Sequence, residues 1–325
     1  MSEKIGCVLC VDDEPGILRS LQWLLKKEFD VKIATSGHEA LGLLRHNDFD
    51  VIISDQRMPG MMGSEFLREA RKISPRSMRI LLTGYSDLQA ILRSVNDGEV
   101  FRFVSKPWST KELPRLVADA AAAAKHQSAE PAPLPGDDAQ ALDTGAESIL
   151  LIDDDPMMGR LVSEALGPDV RIAHATTLAE AVAAFEEHDV GIVLADTRVS
   201  NQDTTTMLKV LKEEHPDIVT VVYTATTDAV DVVTLINQGQ IYRFIPKPVR
   251  MVMLKQAMMG AALKRRQLRH NPGATRRHTV ERVADEDRAV MFRAIEQSSA
   301  SAVASASVHF LQRISGSFTR LFGRG

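Results

Sequence analysis

The sequence predicts two doubly wound α/β domains, each with a five-stranded parallel sheet, followed by a basic and partly helical tail. Two observations lead to this prediction. Short apolar runs alternate with stretches long enough for helices, a pattern typical of a parallel sheet covered on both faces. The whole pattern then occurs a second time, 141 residues later and without a gap. A repeat of that length is a complete domain rather than one unit of a solenoid.

Polar landmarks recur at the same separation. The pairs that are 141 residues apart are Asp12 and Asp153, Asp13 and Asp154, Asp55 and Asp196, Thr83 and Thr224, and Lys106 and Lys247. A chain of 325 residues has room for about two domains of ordinary size. We therefore interpret the sequence as one module present twice, so that each copy is a control for the other.

Five apolar runs in each copy predict the strands. In the first copy they cover residues 5–11, 31–34, 51–54, 78–82 and 101–104. In the second copy they cover residues 149–152, 170–173, 191–195, 218–223 and 242–245. Helix starts are indicated by Pro15, by Ser36 with Glu39 in a capping box, and by Ser109.

A change in composition predicts the domain boundaries. Residues 127–146 are rich in Pro, Ala and Asp and nearly lack large apolar side chains, as semi-extended linkers do. We place the first domain at 1–126 and the second at 147–268, which leaves a tail at 269–325. The net charge of −4 is unevenly distributed, because residues 264–325 hold 12 Lys and Arg against 5 Asp and Glu.

Several classes of protein are disfavoured by composition. The two cysteines, Cys7 and Cys10, lie in an apolar run and suggest a buried strand rather than a redox pair or a disulfide framework. We find neither a signal peptide nor an apolar run of about 18 residues, so we expect a cytoplasmic protein. No helix-turn-helix pattern follows residue 266 and the chain is acidic, so we predict no DNA binding.

Polar residues end the predicted strands on one edge of each sheet, where open parallel sheets bind their ligands. In the first copy these are Asp12, Asp13, Asp55, Thr83 and Lys106. Three carboxylates at one edge repel one another, and a hard divalent cation such as Mg²⁺ relieves that repulsion. A lysine and a threonine hydroxyl then suit a phosphoryl group. The arrangement predicts phosphoryl transfer by in-line attack of a carboxylate.

The sequence around these residues resembles the receiver domains of two-component response regulators, which have a flavodoxin-like (βα)5 fold. In the first copy the resemblance is carried by LCVDDEP, VIISDQRMPGMMG, LLTGYSD and FRFVSKPW. In the second copy it is carried by LLIDDDP, IVLADTRVS, VVYTATTD and YRFIPKP. It covers about three quarters of the chain.

This resemblance implies that Asp55 and Asp196 are phosphoacceptors, with a histidine kinase or a histidine phosphotransfer protein as donor. Thr83 with Lys106, and Thr224 with Lys247, would hold the phosphoryl oxygens. It also implies one Mg²⁺ site in each domain. The implied ligands are Asp12, Asp13, Asp55 and the backbone carbonyl of Arg57, and in the second domain Asp153, Asp154, Asp196 and the backbone carbonyl of Arg198.

Phe103 and Phe244, three residues before each lysine, stand where similar receivers keep a switch side chain; the alternative is an ordinary core phenylalanine. The second copy departs from the pattern after Asp196. Arg198, Val199, Ser200 and Asn201 stand there in place of the Arg-Met-Pro-Gly of the first copy. A pseudo-receiver retained for packing or dimerisation is therefore the alternative for the second domain.

The tail carries two apolar patterns. Residues 276–297 place Val280, Val283, Val290, Phe292 and Ile295 on an irregular helical stripe. Residues 308–322 have apolar side chains at steps of three or four among arginines, which predicts a basic amphipathic helix. Such a helix suits an anionic membrane surface, the groove of a partner protein, or one of the chain's own receivers.

These features together predict a two-component response regulator that signals to a downstream protein target by protein–protein interaction. The alternatives are a phosphorelay intermediate or phosphate sink, and a scaffold of pseudo-receivers. An aspartate-nucleophile phosphatase is disfavoured, because Arg57 and Arg198 stand where such enzymes need a second acid. We expect no enzymatic activity beyond the self-catalysed transfer of phosphate to aspartate.

Overall fold

A computed structural model describes residues 4–84, 102–125, 147–225, 236–237, 241–270 and 283–298. The chain folds into two compact units that contain the two sequence repeats. The predicted linker at 127–146 and the predicted amphipathic helix at 308–322 lie outside the described residues.

The described part of the first domain contains five strands and four helices. Its strands are β1 (Gly6–Val11), β2 (Phe29–Ala34), β3 (Val51–Asp55), β4 (Met78–Thr83) and β5 (Arg102–Ser105). Its helices are α1 (Pro15–Leu25), α2 (Gly37–Leu44), α3 (Gly63–Ile73) and α4 (Glu112–Lys125).

The second domain repeats this order and adds a short hairpin. Its strands are β6 (Ser148–Ile152), β7 (Ile172–Ala175), β8 (Val190–Asp196), β9 (Arg198–Val199), β10 (Gln202–Asp203), β11 (Val219–Thr224) and β12 (Arg243–Pro246). Its helices are α5 (Pro156–Leu166), α6 (Leu178–Glu187), α7 (Thr205–Glu214) and α8 (Met251–His270), and the tail helix α9 covers Asp285–Ser298.

Both sheets are parallel and have five strands, as the sequence predicts. The order is β2-β1-β3-β4-β5 in the first domain and β7-β6-β8-β11-β12 in the second. The order reverses direction after the first strand, so the carboxyl ends of the first and third strands border the crevice that binds ligands in such sheets. The fold class is therefore confirmed.

Local signals in the sequence begin the helices. Pro15 starts α1, where its missing amide hydrogen has no cost. Ser36 Oγ accepts a hydrogen bond from the backbone amide of Glu39, and Thr177 Oγ1 accepts the equivalent bond from Glu180. These bonds satisfy amides that otherwise have no partner in the first turn. The predicted cap at Ser36 is confirmed, but the capping box is incomplete because the Glu39 carboxylate accepts from the Thr35 amide and not from that of Ser36.

The core of each domain lies between the sheet and its helices. Val8, Cys10 and Ile53 are buried in the first domain, and Trp108 packs half-buried against the same cluster. Cys7 and Cys10 are free cysteines on β1, so the interpretation as a strand is confirmed.

A glycine and an acidic residue exchange places between the two domains. In the first domain, Gly6 on β1 lies against the side chain of Asp50, and a Cβ on Gly6 would meet the carboxylate. In the second domain, Glu147 stands at the position of Gly6 and Gly191 at that of Asp50. A Cβ on Gly191 would meet the carboxylate of Glu147. These two aligned positions therefore hold one acid and one glycine in each domain, in opposite order.

Arginines hold the acid of the second domain. Arg265 Nη2 lies 2.8 Å and Arg269 Nη1 3.1 Å from Glu147 Oε1. Arg265 also contacts Asp217. The side chains of Arg265 and Glu147 are 10% and 7% exposed, so this ion pair is nearly removed from water. In the first domain, Ala124 stands at the position of Arg265.

The tail helix α9 packs on α6 and α7 of the second domain. Arg288 Nη2 lies 2.6 Å from Glu213 Oε2, and the backbone amide of Val283 donates to the same carboxylate. Met291 and Ile295 are buried, but Val290 is 65% exposed. The predicted stripe is therefore wrong at Val290, because the buried face follows the spacing of 288, 291 and 295. No helix in the described ranges is long and apolar enough to cross a membrane.

Candidate functional site

The predicted site residues of the first domain lie at the carboxyl ends of its strands. Asp12 directly follows β1, while Asp55 and Thr83 are the last residues of β3 and β4. Lys106 follows β5 and precedes a cis peptide bond to Pro107. Parallel strands end at one edge of the sheet, so the topology brings these four residues together.

Lys106 joins two carboxylates in the first domain. Its Nζ lies 2.9 Å from Asp12 Oδ2 and 2.6 Å from Asp55 Oδ1. Burial by itself lowers the pKa of Lys106, but the hydrogen bonds to Asp55 and Asp12 outweigh it and the pKa is raised. Burial also raises the pKa of Asp12, against the lowering effect of Lys106. One ammonium group thus contacts two buried acids.

Backbone amides hold both acids in position. Asp55 Oδ2 accepts a hydrogen bond of 2.7 Å from the amide of Arg57, and Asp12 Oδ1 accepts one of 2.9 Å from Glu14. The amide of Gly63 donates to the carbonyl of Gln56, which closes the loop after β3. A Cβ on Gly63 would lie only 1.9 Å from the backbone oxygen of Asp55, so this position requires glycine.

The second domain places the equivalent residues at the same strand ends, but the lysine is shared unequally. Lys247 Nζ lies 2.5 Å from Asp196 Oδ2 and 3.6 Å from Asp153 Oδ2. Burial by itself lowers the pKa of Lys247, but the hydrogen bond to Asp196 outweighs it and the pKa is raised. Lys247 therefore pairs mainly with Asp196.

A tyrosine makes a shorter contact with Asp153 than the lysine does. The Tyr223 hydroxyl donates a 2.6 Å hydrogen bond to Asp153 Oδ2, and Tyr223 is fully buried. Burial and the nearby carboxylates raise the pKa of the tyrosine. The same position in the first domain is Leu82, which has no donor. The sequence prediction missed this residue, although comparison of the two copies reveals the exchange of leucine for tyrosine.

A short hairpin contacts Asp154, the second acid after β6. β9 and β10 pair antiparallel across Ser200 and Asn201, whose φ angles are 46° and 64°. Two residues of positive φ form the turn that suits a two-residue hairpin. The amide of Ser200 donates a 2.7 Å hydrogen bond to Asp154 Oδ2. Pro59 stands at this position in the first domain and has no amide hydrogen to donate.

Hydroxyl groups complete the second site. Thr197 Oγ1 lies 2.7 Å from Thr224 Oγ1 and 3.3 Å from Asp196 Oδ1. In the first domain, Gln56 stands at the position of Thr197 and is instead bound to Ser64. Thr204 Oγ1 bonds the backbone oxygen of Asp196, at the position where the first domain has Gly63.

Comparison with known sequences tests the resemblance. The family model of the response regulator receiver domain matches residues 8–118 and 149–259. These two matches cover more than half of the chain and coincide with the two sites. The chain belongs to the response regulator receiver family. Its two domains are therefore receivers, and the expected family is confirmed.

Individual relatives of the receivers include transcriptional regulators. The hydrogenase transcriptional regulatory protein HoxA of Cupriavidus necator is 41% identical over 113 residues, which are 35% of this chain and 23% of HoxA. The transcriptional regulatory protein GlrR of Escherichia coli is 36% identical over 121 residues, which are 37% of this chain and 27% of GlrR. The names of these relatives give no support to the expectation that DNA binding is absent.

A solved structure of Thermotoga maritima TrrA in complex with Mg²⁺ and BeF is 34% identical. The match covers 36% of this chain and 99% of TrrA, with a TM-score of 0.33. The matched part of this chain thus spans about a quarter of HoxA and GlrR but nearly all of TrrA.

The donor set of the first receiver fits a hard divalent cation. Asp12 and Asp55 contact one ammonium group, and carboxylate oxygens are the ligands that Mg²⁺ prefers. Within the described ranges, no three acidic, histidine or cysteine side chains are already arranged as a complete metal site. Lys106 contacts both acids in this arrangement, so metal binding requires Asp12 and Asp55 to be shared between the lysine and the ion.

Proposed function

We propose that this chain is a two-component response regulator that receives a phosphoryl group from a histidine kinase or a histidine phosphotransfer protein. Asp55 is the acceptor of the first receiver and Asp196 that of the second. The observation that carries the proposal is the position of Lys106, whose Nζ contacts both Asp55 and Asp12 at the carboxyl edge of the sheet. The protein acts in the cytoplasm and signals by binding a downstream protein.

The chemistry follows from the groups at this edge. An oxygen of Asp55 attacks the phosphorus, an O–P bond forms, and the N–P bond to the donor histidine breaks. Lys106 lies 2.6 Å from Asp55 and balances the charge of the transferred group. The Thr83 hydroxyl, at the end of the next strand, is the proposed donor to a phosphoryl oxygen. Positioning and charge compensation of this kind are the main sources of catalysis in phosphoryl transfer.

Mg²⁺ would be held by Asp12, Asp13, Asp55 and the backbone carbonyl of Arg57. When bound, it neutralises the phosphoryl oxygens and the acids together. In the second receiver the corresponding groups are Asp153, Asp154, Asp196 and the carbonyl of Arg198.

The signal would leave the site through the strand that carries the lysine. Phe103 and Phe244 are both 1% exposed, on β5 and β12. We propose that phosphorylation draws the hydroxyl of Thr83 toward the new oxygens and that the buried Phe103 side chain repacks in response. The edge of the sheet then presents a different surface to a partner.

The test is phosphorylation by a small-molecule phosphodonor with Mg²⁺, followed by intact mass. We expect two additions in the wild-type chain. Asp55→Asn should lose the first addition and Asp196→Asn the second. Chains with Asp13→Asn test the requirement for the ion. Absence of any addition in the wild-type chain would overturn the proposal.

A further inference from the structure

Both acids that precede α5 in the second receiver accept a hydrogen bond from a group that the first receiver lacks. Asp153 is bound by the Tyr223 hydroxyl at 2.6 Å, and Asp154 by the Ser200 amide at 2.7 Å. The aligned residues in the first receiver are Leu82 and Pro59. Neither has a hydrogen to donate at that point. The two differences lie on separate elements, β11 and the β9–β10 hairpin, yet they act on neighbouring carboxylates.

We infer that Tyr223 and Ser200 latch the second receiver against Mg²⁺, so that the two receivers of one chain respond to different concentrations of the ion. The inference deepens the proposed function and rests on it for the identity of the cation. Tyr223 is a positioning residue, since it acts on the ion through Asp153.

The latch follows from competition for one oxygen. Asp153 Oδ1 already accepts the amide of Asp155 at 2.6 Å, as Asp12 Oδ1 accepts that of Glu14 in the first receiver. The tyrosine hydroxyl donates to Oδ2, so both oxygens of Asp153 already accept a hydrogen bond. Mg²⁺ needs short bonds in a nearly octahedral arrangement, so a cation at Oδ2 competes with that hydrogen for the oxygen.

Displacement is unfavourable because of where the tyrosine lies. Tyr223 is fully buried among the core residues Leu151 and Leu194 of its receiver. A hydroxyl that loses its acceptor while its ring stays buried becomes an unsatisfied donor, which is costly. The cost falls on every cation that binds Asp153.

The position of Lys247 differs from that of Lys106, as expected if the tyrosine hydroxyl bonds Asp153. Lys106 contacts Asp12 Oδ2 at 2.9 Å, whereas Lys247 lies 3.6 Å from Asp153 Oδ2 and is closest to Asp196. The hydroxyl thus holds Asp153 in the role that the ammonium group has in the first receiver. The acids of the latched site are therefore bonded by groups of the receiver itself.

Mn²⁺ is the probe for the test, because free Mn²⁺ is measured directly by electron paramagnetic resonance. The full-length wild-type chain should bind one ion firmly and a second at least about tenfold more weakly. Asp13→Asn should remove the firm ion only. Tyr223→Phe deletes only the hydroxyl and should strengthen the weak site by about tenfold, which corresponds to about 1.4 kcal/mol.

The reciprocal exchange uses the first receiver. Leu82→Tyr should weaken the firm site, while the matched control Leu82→Phe, which adds a ring without a hydroxyl, should weaken it much less. Tyr223→Leu installs the residue of the first receiver and repeats the Tyr223→Phe test with a different side chain. Circular dichroism identifies any variant that fails to fold.

Two results would overturn the latch. One is a wild-type chain that binds two ions with equal affinity, and the other is a folded Tyr223→Phe chain whose weak site is unchanged. The Mn²⁺ affinity of the Tyr223 variants tests the latch independently of ion binding by the first receiver. If the site of Asp55 binds no ion in any chain, the proposed role of Mg²⁺ in that receiver fails separately.

Discussion

The two receivers keep the same five polar residues at the same strand ends, but they satisfy their carboxylates differently. In the first, Lys106 is shared between Asp12 and Asp55. In the second, Lys247 pairs mainly with Asp196, and the Tyr223 hydroxyl donates a hydrogen bond to Asp153. The difference arises one residue before Thr224, at a position whose side chain belongs to the core. A signature of polar residues therefore does not by itself determine how a site behaves, because its buried neighbours decide which oxygens remain available.

The comparison extends to stability, where the largest difference is the buried ion pair of the second receiver. Arg265→Ala should destabilise that receiver by about 3–5 kcal/mol, because it leaves Glu147 buried without its main partner. The measurement is chemical denaturation followed by circular dichroism. Both tryptophans, Trp23 and Trp108, belong to the first receiver, so tryptophan fluorescence should report an unchanged transition.

Arg269→Ala is the matched control for this prediction. Arg269 contacts the same Glu147 oxygen, but its side chain is 58% exposed. Exposed ion pairs contribute at most about 1 kcal/mol. Equal losses in Arg265→Ala and Arg269→Ala would contradict the assignment of the stability to burial.

The first receiver has its own sensitive position in the loop after its acceptor. Gly63→Ala should cost about 3 kcal/mol, since the new Cβ would overlap the backbone oxygen of Asp55 and force β3 or α3 to move. Tryptophan fluorescence should show the shift. Gly60→Ala is the control: its φ of 77° disfavours alanine, but the space is open, so about 1 kcal/mol is expected.

The second receiver tolerates a side chain at the position of Gly63, and this sharpens the contrast. Thr204 there bonds the backbone oxygen of Asp196 through its hydroxyl. If Gly63→Ala were no more harmful than Gly60→Ala, the two loops would be less different than their hydrogen bonds indicate.

A buried lysine makes the second receiver sensitive to pH. Lys212 is 2% exposed, and burial lowers its pKa to about 7, with Lys264 contributing. The unfolded chain keeps this proton up to about pH 10.4, so between the two values the unfolded state binds more protons and stability rises with pH. From pH 7 to pH 9 the second receiver should gain about 2 kcal/mol. As pH falls to about 7 this gain is lost. Below pH 7 the lysine is protonated in both states, so it adds little further change in stability.

Lys212→Met should remove this slope, as measured by denaturation at a series of pH values. In the first receiver the aligned residue is Arg71, which is half-buried. The transition seen by tryptophan fluorescence is the internal control. A slope that persists in Lys212→Met would assign the pH dependence to another group.

The smallest predicted effect concerns the tail helix on the second receiver. Arg288→Ala removes the 2.6 Å contact with Glu213 and should weaken the docking of α9 by about 1.5 kcal/mol. Limited proteolysis should then cut between residues 283 and 298 more rapidly. Arg293 lies on the exposed side of the same helix, so the Arg293→Ala chain should be cut at the wild-type rate. Equal rates in the two variants would show that the ion pair does not hold the helix.

The periodicity of the sequence was sufficient to predict the sheets and most helix starts. Apolar strand residues, Pro15 and the cap at Ser36 act locally, so they can be recognised without knowing the fold. The polar site residues were also predictable, because parallel strands end at a common edge.

The latch could not be predicted in the same way. Tyr223 lies in an apolar run, where a tyrosine is an ordinary strand residue, and only the fold brings its hydroxyl to an acid 70 residues earlier. The hairpin at Ser200 and Asn201 has no glycine to mark it, and the exposure of Val290 depends on where α9 docks. These features depend on contacts between distant parts of the chain.

The exchange of Gly6 and Asp50 for Glu147 and Gly191 also limits which strands of the two receivers can be combined in one domain. A hybrid domain with β1 of the first receiver and β8 of the second would bring Gly6 and Gly191 together, two residues with no side chain, and leave a gap beside the sheet. The opposite hybrid would place Glu147 against Asp50, two acids in the space of one. The strands of each receiver are therefore matched to one another at this position.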